Sequence, residues 1–278
     1  MKISSVLLAA MLCVSAYTIA QESFNLILSR ANKAENAQDW AAAEKEYKQL
    51  ITSYPESKQI SQIVANLSLV QSLQGRDSVA IATLDDGLAK NASDTLLLER
   101  RGQLRMNAGD MAGAIADYGK LTEINPDAFY AFYIHGSLAL NSGDTVAAKK
   151  SFLRLRELVP RSEADHKAWA AYNTKIKDYP AAIAEYNALI AQKPEIEAYL
   201  GRAAAHMMLE QLDDASMDIA DAMRLDPNDG EAYYLRAGLN KKRYQFDAAK
   251  EDGKKAISLG VDPRRVELLL GALPDGAK

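Results

Sequence analysis

The sequence predicts an all-α fold, an α–α superhelix (solenoid) of about seven helix–turn–helix repeats closed by a short C-terminal capping helix. Three observations predict it. A phrase built around one alanine returns at a nearly constant interval along most of the 278 residues. Alanine, leucine, glutamate and lysine are abundant while valine and threonine are sparse, a balance that favours helices over strands. A large residue follows six of the seven alanines at a step of four, and a leucine follows four of them at a step of seven, which places these side chains on one helical face.

Residues 1–20 read as a signal peptide. Lys2 supplies the positive start, Val6 to Val14 is an unbroken apolar run, and Thr18-Ile19-Ala20 places small residues before a cut at Gln21. The run is shorter than the roughly 20 apolar residues a bilayer-spanning helix needs. The single cysteine, Cys13, lies inside it and follows Leu12, where a lipidation signal requires a small residue. The mature chain, expected to be exported to a periplasmic or secreted location and soluble after cleavage, then has no thiol for a disulfide or a metal site. No other segment reads as transmembrane. A formal net charge of −4 provides no basic excess for nucleic acid or an anionic membrane surface.

The repeat occupies 21–263. Its alanine falls at Ala43, Ala80, Ala114, Ala148, Ala182, Ala215 and Ala249, at spacings of 37, 34, 34, 34, 33 and 34. Such self-similarity is the signature of a stacked array. Each alanine belongs early in a second helix. Four residues on stand Tyr47, Leu84, Tyr118, Phe152, Tyr186 and Ile219, with Gly253 breaking the pattern in the last repeat. Twelve residues before each alanine a small residue marks the first helix: Ala31, Ser68, Gly102, Gly136, Ala170, Ala203 and Ala237. Two small residues facing each other would let the helices approach closely. Pro55, Pro126, Pro160, Pro194 and Pro227 close five of the repeats. Turns such as Ala108-Gly109-Asp110 and Ser142-Gly143-Asp144 offer a left-handed glycine and an aspartate cap. The repeats run about 24–57, 58–94, 95–128, 129–162, 163–195, 196–229 and 230–263. The longer first step implies a longer linker around Glu56 to Ile60. Residues 264–278 form a cap and tail, in which Val266, Leu269, Leu270 and Leu273 make an apolar stripe.

No catalytic constellation emerges, and the chain reads as non-enzymatic, without cofactor or metal. His135, His166 and His206 are 31 and 40 residues apart, too far to share a helix turn as zinc ligands. Asp226-Pro227-Asn228-Asp229-Gly230 lacks the ligand order of a calcium loop and reads as a turn. The many carboxylates read as a solvated helical face.

A two-helix repeat of 34 residues with this small–aromatic–proline pattern resembles the tetratricopeptide repeat. The stretches GDMAGAIADYGKLTEINP (109–126) and KDYPAAIAEYNALIAQKP (177–194) match it best, and the resemblance covers about residues 24–263. Ankyrin repeats have a similar period, but their T-P-L-H phrase is absent. The resemblance implies a right-handed superhelix whose inner groove is lined by first helices. Helical spacing then selects Glu99, Gln103, Met106 and Asn107 in the third repeat, and Tyr130, Tyr133, Ser137, Leu140 and Asn141 in the fourth. Lys167, Thr174 and Lys175 follow in the fifth, Leu200, Met207 and Met208 in the sixth, and Tyr234, Lys241 and Lys242 in the seventh. Gln103, Met106, Asn107, Tyr130, Tyr133, Asn141, Met207 and Tyr234 are the candidate contacts. Tyrosine and methionine bury area and adapt, and amides at equivalent places can grip a peptide backbone. The paired lysine–asparagine clamp of chaperone-binding members is missing.

Asp77-Ser78-Val79, Asp94-Thr95-Leu96 and Asp144-Thr145-Val146 resemble the O-glycosylation acceptor pattern used by Bacteroidota for exported proteins, and Gln21 at the new N-terminus resembles the exported proteins of that group. The same pairs also read as helix caps and turns. The expectation is a protein-interaction scaffold of the cell envelope that binds a peptide or partner protein. The alternatives are a small-ligand or glycan-binding envelope protein, or an accessory subunit of an envelope enzyme or secretion complex.

Overall fold

A computed structural model describes residues 22–271. The signal peptide, Cys13, the cut before Gln21 and Leu273 of the capping stripe lie outside the described residues. Among those described, fifteen α-helices and no strands are present.

The helices pair as seven hairpins: α1 (Phe24–Asn36) with α2 (Trp40–Ser53), α3 (Ile60–Leu73) with α4 (Asp77–Lys90), and α5 (Thr95–Asn107) with α6 (Met111–Ile124). Then come α7 (Phe129–Ser142) with α8 (Thr145–Leu158), α9 (Glu163–Lys175) with α10 (Tyr179–Gln192), α11 (Ile196–Met208) with α12 (Leu212–Leu225), and α13 (Gly230–Lys242) with α14 (Phe246–Ser258). The cap helix is α15 (Pro263–Leu270). The chain divides after Ala128 into two compact units, one holding the first three hairpins and the other the remaining four with the cap.

The hairpin boundaries follow from local chemistry. Asp39, Asp110, Asp144 and Asp178 precede second helices, and each side chain accepts a hydrogen bond from the backbone N–H three residues on. At the other end, Pro55, Pro126, Pro160, Pro194 and Pro227 each stand two residues past the last helical residue. The residue before each proline is pushed out of α geometry, with φ between −123° and −156°. The linker between the first two hairpins, residues 54–59, is longer than the 91–94, 125–128, 159–162 and 226–229 connections. That accounts for most of the longer first step.

The turn inside each hairpin needs one left-handed residue. These are Gln38, Gly75, Gly109, Gly143, Lys177, Glu210 and Tyr244, with φ from 56° to 92°. Each lies five residues before the hairpin's alanine. Glycine takes this conformation without penalty, whereas a side chain strains it.

All seven alanines and all seven small residues of the first helices are buried. Their pairing differs from the expectation of two small residues opposed. A Cβ on Gly102 would lie 2.9 Å from Tyr118 Cε2, and one on Gly136 would lie 2.4 Å from Phe152 Cε1. The small residue therefore makes room for the ring that follows the alanine by one helical turn. Tyr47, Tyr118 and Phe152 are wholly enclosed as a result, and trimming Phe152 to alanine would cost about 3–5 kcal/mol. In the first compact unit, Ile27, Ala31, Ala43, Tyr47, Leu50, Ile63 and Val70 join into one core. The second unit has a core around Phe152, Leu155 and Trp169, another around Met207, Ile219 and Leu239, and a third where Val261 and Val266 meet Ala256.

The reading of the carboxylates as a solvated face needs correction. Asp117, Asp165, Asp218 and Asp252 are buried, and arginines hold them. Arg101 Nε donates to Asp117 at 3.0 Å, Arg202 Nε to Asp218 at 3.0 Å, and Arg236 Nε to Asp252 at 2.9 Å. Arg30 Nε donates to the largely buried Glu46 at 2.9 Å. Every one of these four pairs links the two helices of one hairpin across 16 residues, with the arginine thirteen before the alanine and the acid three after it. The fourth hairpin uses a neutral version, His135 Nδ1 to Ser151 Oγ at 2.8 Å, and burial lowers the His135 pKa. Hydrogen bonds to Asp218 and Asp252 raise the pKa of Arg202 and Arg236. Burial alone would lower that of Arg101, but Asp117 and Asp85 outweigh it. Asp165 instead caps the approach to α9: it accepts from Arg156 Nε at 2.8 Å and from the Arg161 backbone N–H at 3.0 Å.

Candidate functional site

The first helices decide which candidate contacts are available. Two positions, eleven and seven residues before each alanine, form the outermost row of these helices. In the first compact unit this row holds Asn32 and Asn36 on α1, Leu69 and Leu73 on α3, and Gln103 and Asn107 on α5, all exposed. In the second unit the same two repeat positions on α7 hold Ser137 and Asn141, with Asn141 exposed. Gln103, Asn107 and Asn141 are therefore accessible as expected.

The remaining candidates divide. Met106, Tyr130, Tyr133 and Tyr234 are half-buried. Tyr133 packs against the core around Phe152, and the Arg265 guanidinium covers the Tyr234 ring at 4.6 Å from its centroid. Met207 corrects the expectation: it is 8% exposed and packs with Ala203, Ala215, Ile219 and Leu239. Its position, eight residues before the alanine, points toward the neighbouring hairpin, as Leu140 at the same place does by being buried. Met208, the next residue, is the exposed methionine of that helix.

Amides dominate the first-helix face of the first compact unit, and several were not singled out by sequence. Asn25, Leu28, Ser29, Asn32, Lys33 and Asn36 line a shallow hollow of about 460 Å³ on α1. On α3, Gln62 Nε2 donates to Asn66 Oδ1 at 2.7 Å, and on α5 Gln103 Nε2 donates to Asn107 Oδ1 at 3.3 Å. Tyr47 supports the row from beneath. Its hydroxyl approaches Asn32 Oδ1 at 3.5 Å and accepts from Asn66 Nδ2 at 3.4 Å. Burial, with the Glu35 carboxylate adding to it, pushes the Tyr47 phenol up to about 12, so it stays protonated. The signal for Asn36 was present in the sequence, since Asn36, Asn107 and Asn141 share one repeat position.

His166, His206 and the Asp226–Asp229 turn make structural contacts. His166 Nδ1 lies 2.6 Å from Glu185 Oε2, and His206 Nδ1 lies 2.7 Å from Gln211 Oε1. Asp226 and Asp229 bracket an inter-hairpin turn, Asp226 accepting from Asn228 N–H at 2.8 Å and Asp229 capping α13. Thr95 and Thr145 open α5 and α8 directly behind their capping aspartates, and Ser78 is exposed in the first turn of α4. Among the described residues no group of three or more His, Cys, Asp or Glu is placed to hold a metal ion, and no helix is long and apolar enough to cross a membrane.

Seven hairpins at a pitch of about 34 residues, each with its alanine and its first-helix small residue buried, define a helical-repeat protein. Models of the tetratricopeptide repeat match residues 26–57 and 99–163, so these stretches are tetratricopeptide repeats, and the chain has the all-α solenoid fold of tetratricopeptide-repeat proteins. A crystal structure of a tetratricopeptide repeat protein from Parabacteroides merdae is similar at a TM-score of 0.70 and 23% identity, over 89% of this chain and 97% of that one. PilW, a type IV pilus biogenesis factor, is similar at a TM-score of 0.63 and 17% identity, over 77% of this chain and the whole of that one. Among curated proteins, a DnaJ homolog subfamily C member 7 homolog of Dictyostelium discoideum is 35% identical over 97 residues, covering 33% of this chain and 18% of that protein. Human Superkiller complex protein 3 is 27% identical over 144 residues, covering 51% of this chain and 9% of that protein. The chain thus spans less than a fifth of the length of the curated relatives it matches. Tetratricopeptide-repeat proteins are generally non-catalytic scaffolds, and the fold supports a protein or peptide partner.

Proposed function

We propose that this chain is a non-catalytic scaffold that holds an extended polypeptide along the first helices of its repeats, and that it works in the cell envelope after export. One observation carries the binding mode: the outermost row of the first compact unit presents Asn32, Asn36, Gln103 and Asn107, exposed and in repeat register. An extended strand offers alternating N–H and C=O groups. Primary amides both donate and accept, so a register of them suits a backbone rather than one charged group. Support for export comes from Lys2, the apolar run Val6 to Val14 and the small residues before Gln21.

The test is capture of partner polypeptide from envelope extract by the wild-type chain and by the Asn32→Ala/Asn36→Ala/Gln103→Ala/Asn107→Ala variant. These side chains are exposed, so the melting temperature should hold while capture falls. Undiminished capture would remove the first-helix face from consideration. The intact mass of the exported form should correspond to a start at Gln21; retention of residues 1–20 would refute the processing step.

A further inference from the structure

The first compact unit contains a second recess that shares no residue with the amide row. It opens where the repeat pattern lapses. Seven residues after the alanine, the first, third, fourth and fifth hairpins place Leu50, Leu121, Leu155 and Leu189, whereas the second has Gly87. A Cβ there would lie 2.7 Å from Leu97 Cδ1 and 3.1 Å from Val64 Cγ1. Gly87 is thus required for α5 to approach, and it leaves no side chain of its own to fill the outer space. The long 54–59 linker borders the same place. The result is a cleft of about 720 Å³ between the C-terminal parts of α2 and α4. That volume lies in the ordinary range for ligand sites.

The lining has a clear division. Ile51, Ile60, Val64, Leu67 and Leu97 supply apolar walls. The rim is acidic in balance. Glu56 and Asp86 line it, both exposed and with no ion pair among the described residues. Asp94 is held by the Ser61 hydroxyl and by the Leu97 backbone N–H at 3.1 Å. Of the two lysines at the rim, Lys48 is committed to Glu44 at 2.8 Å, leaving Lys90 as the uncommitted cation against these carboxylates.

We infer that this cleft binds a cationic, amphipathic peptide segment: an aliphatic or aromatic residue seated on the apolar walls, with a neighbouring arginine or lysine reaching Glu56 and Asp86. The apolar part supplies the burial and the acids select the charge. Because the lining excludes Asn32, Asn36, Gln103 and Asn107, the site stands or falls apart from the first-helix face.

The experiment is a titration of the ¹⁵N-labelled full chain with acetyl-Leu-Arg-amide and, separately, acetyl-Leu-Glu-amide. The arginine peptide should shift the backbone amides of Val64, Gly87 and Lys90, and bind about tenfold more tightly than the glutamate peptide, the factor two partly screened ion pairs supply. The Glu56→Gln/Asp86→Asn variant changes exposed side chains only; it should keep its melting temperature and lose that preference. Absence of shifts at the cleft with either peptide would overturn the inference. So would equal affinity for the two peptides, or a preference that survives the double substitution.

Discussion

Val266 fills the space that Gly253 leaves. A Cβ on Gly253 would lie 2.8 Å from Val266 Cγ1 and 2.8 Å from Leu270 Cδ1. The last hairpin departs from the repeat at this position because its neighbour there is the cap helix α15 and not another hairpin. Gly253→Ala should gain about 1 kcal/mol of helix propensity and lose more by overpacking, about 1–3 kcal/mol. The expected outcome is a lower melting temperature with faster hydrogen exchange confined to residues 263–270. Exchange there as slow as in the wild type would show that α15 does not depend on this contact.

The arginine–carboxylate pairs predict an asymmetry. Asp218→Ala strands Arg202, whose side chain is largely withdrawn from water, and should cost about 3 kcal/mol in denaturant unfolding. Replacing both, Arg202→Leu with Asp218→Leu, should recover most of that loss, since an apolar pair in the same space leaves no unpaired charge. A double variant as unstable as the single one would mean that the pair contributes more than mutual neutralisation.

The hairpin turns predict stabilising changes. Lys177 and Glu210 occupy the left-handed position that Gly109 and Gly143 occupy elsewhere. Lys177→Gly and Glu210→Gly should each raise stability by up to about 1 kcal/mol, relief of strain exceeding the added chain entropy. Gly143→Ala should lower it by about 1–2 kcal/mol from backbone strain alone, because nothing lies within 4 Å of the added methyl. Thermal melts of the three variants would check the opposite signs.

Glu44 predicts a pH dependence. Burial would raise its pKa, but Lys48, Gln74 and Arg76 together hold it down to about 2, against 4.5 for a free glutamate. A depressed carboxylate contributes stability that is complete above the unfolded value of 4.5 and is lost as pH falls toward 2. The stability gap between wild type and Glu44→Gln should therefore be on the order of 2 kcal/mol near neutral pH and close across that interval. A gap unchanged from pH 6 to pH 3 would contradict the assignment.

The helical hairpins were legible because their marks are local: a capping aspartate, a terminal proline, an alanine with a large residue one turn on. Hairpin phase also named the exposed amides Gln103, Asn107 and Asn141. Met207 was misjudged because two positions one residue apart, 207 and 208, differ by about 100° around a helix, enough to move a side chain from the surface into the next hairpin. Asp117, Asp218 and Asp252 were misjudged for a different reason. Composition assigns acids to water, and only the fixed separation of 16 from an arginine, repeated in phase with the alanines, signals that they are enclosed. Gly87 reads in sequence as a weak helix residue, and nothing local announces the cleft beside it.

An ion pair that closes within seventeen consecutive residues travels intact whenever its stretch of chain is copied. Arg101 with Asp117, Arg202 with Asp218 and Arg236 with Asp252 each lie wholly inside one hairpin. Duplicating or deleting a hairpin thus never orphans a charge of this kind, which makes the array tolerant of changes in length by whole modules. Lineages of this protein can be expected to differ in hairpin number sooner than in the inner wiring of any one hairpin.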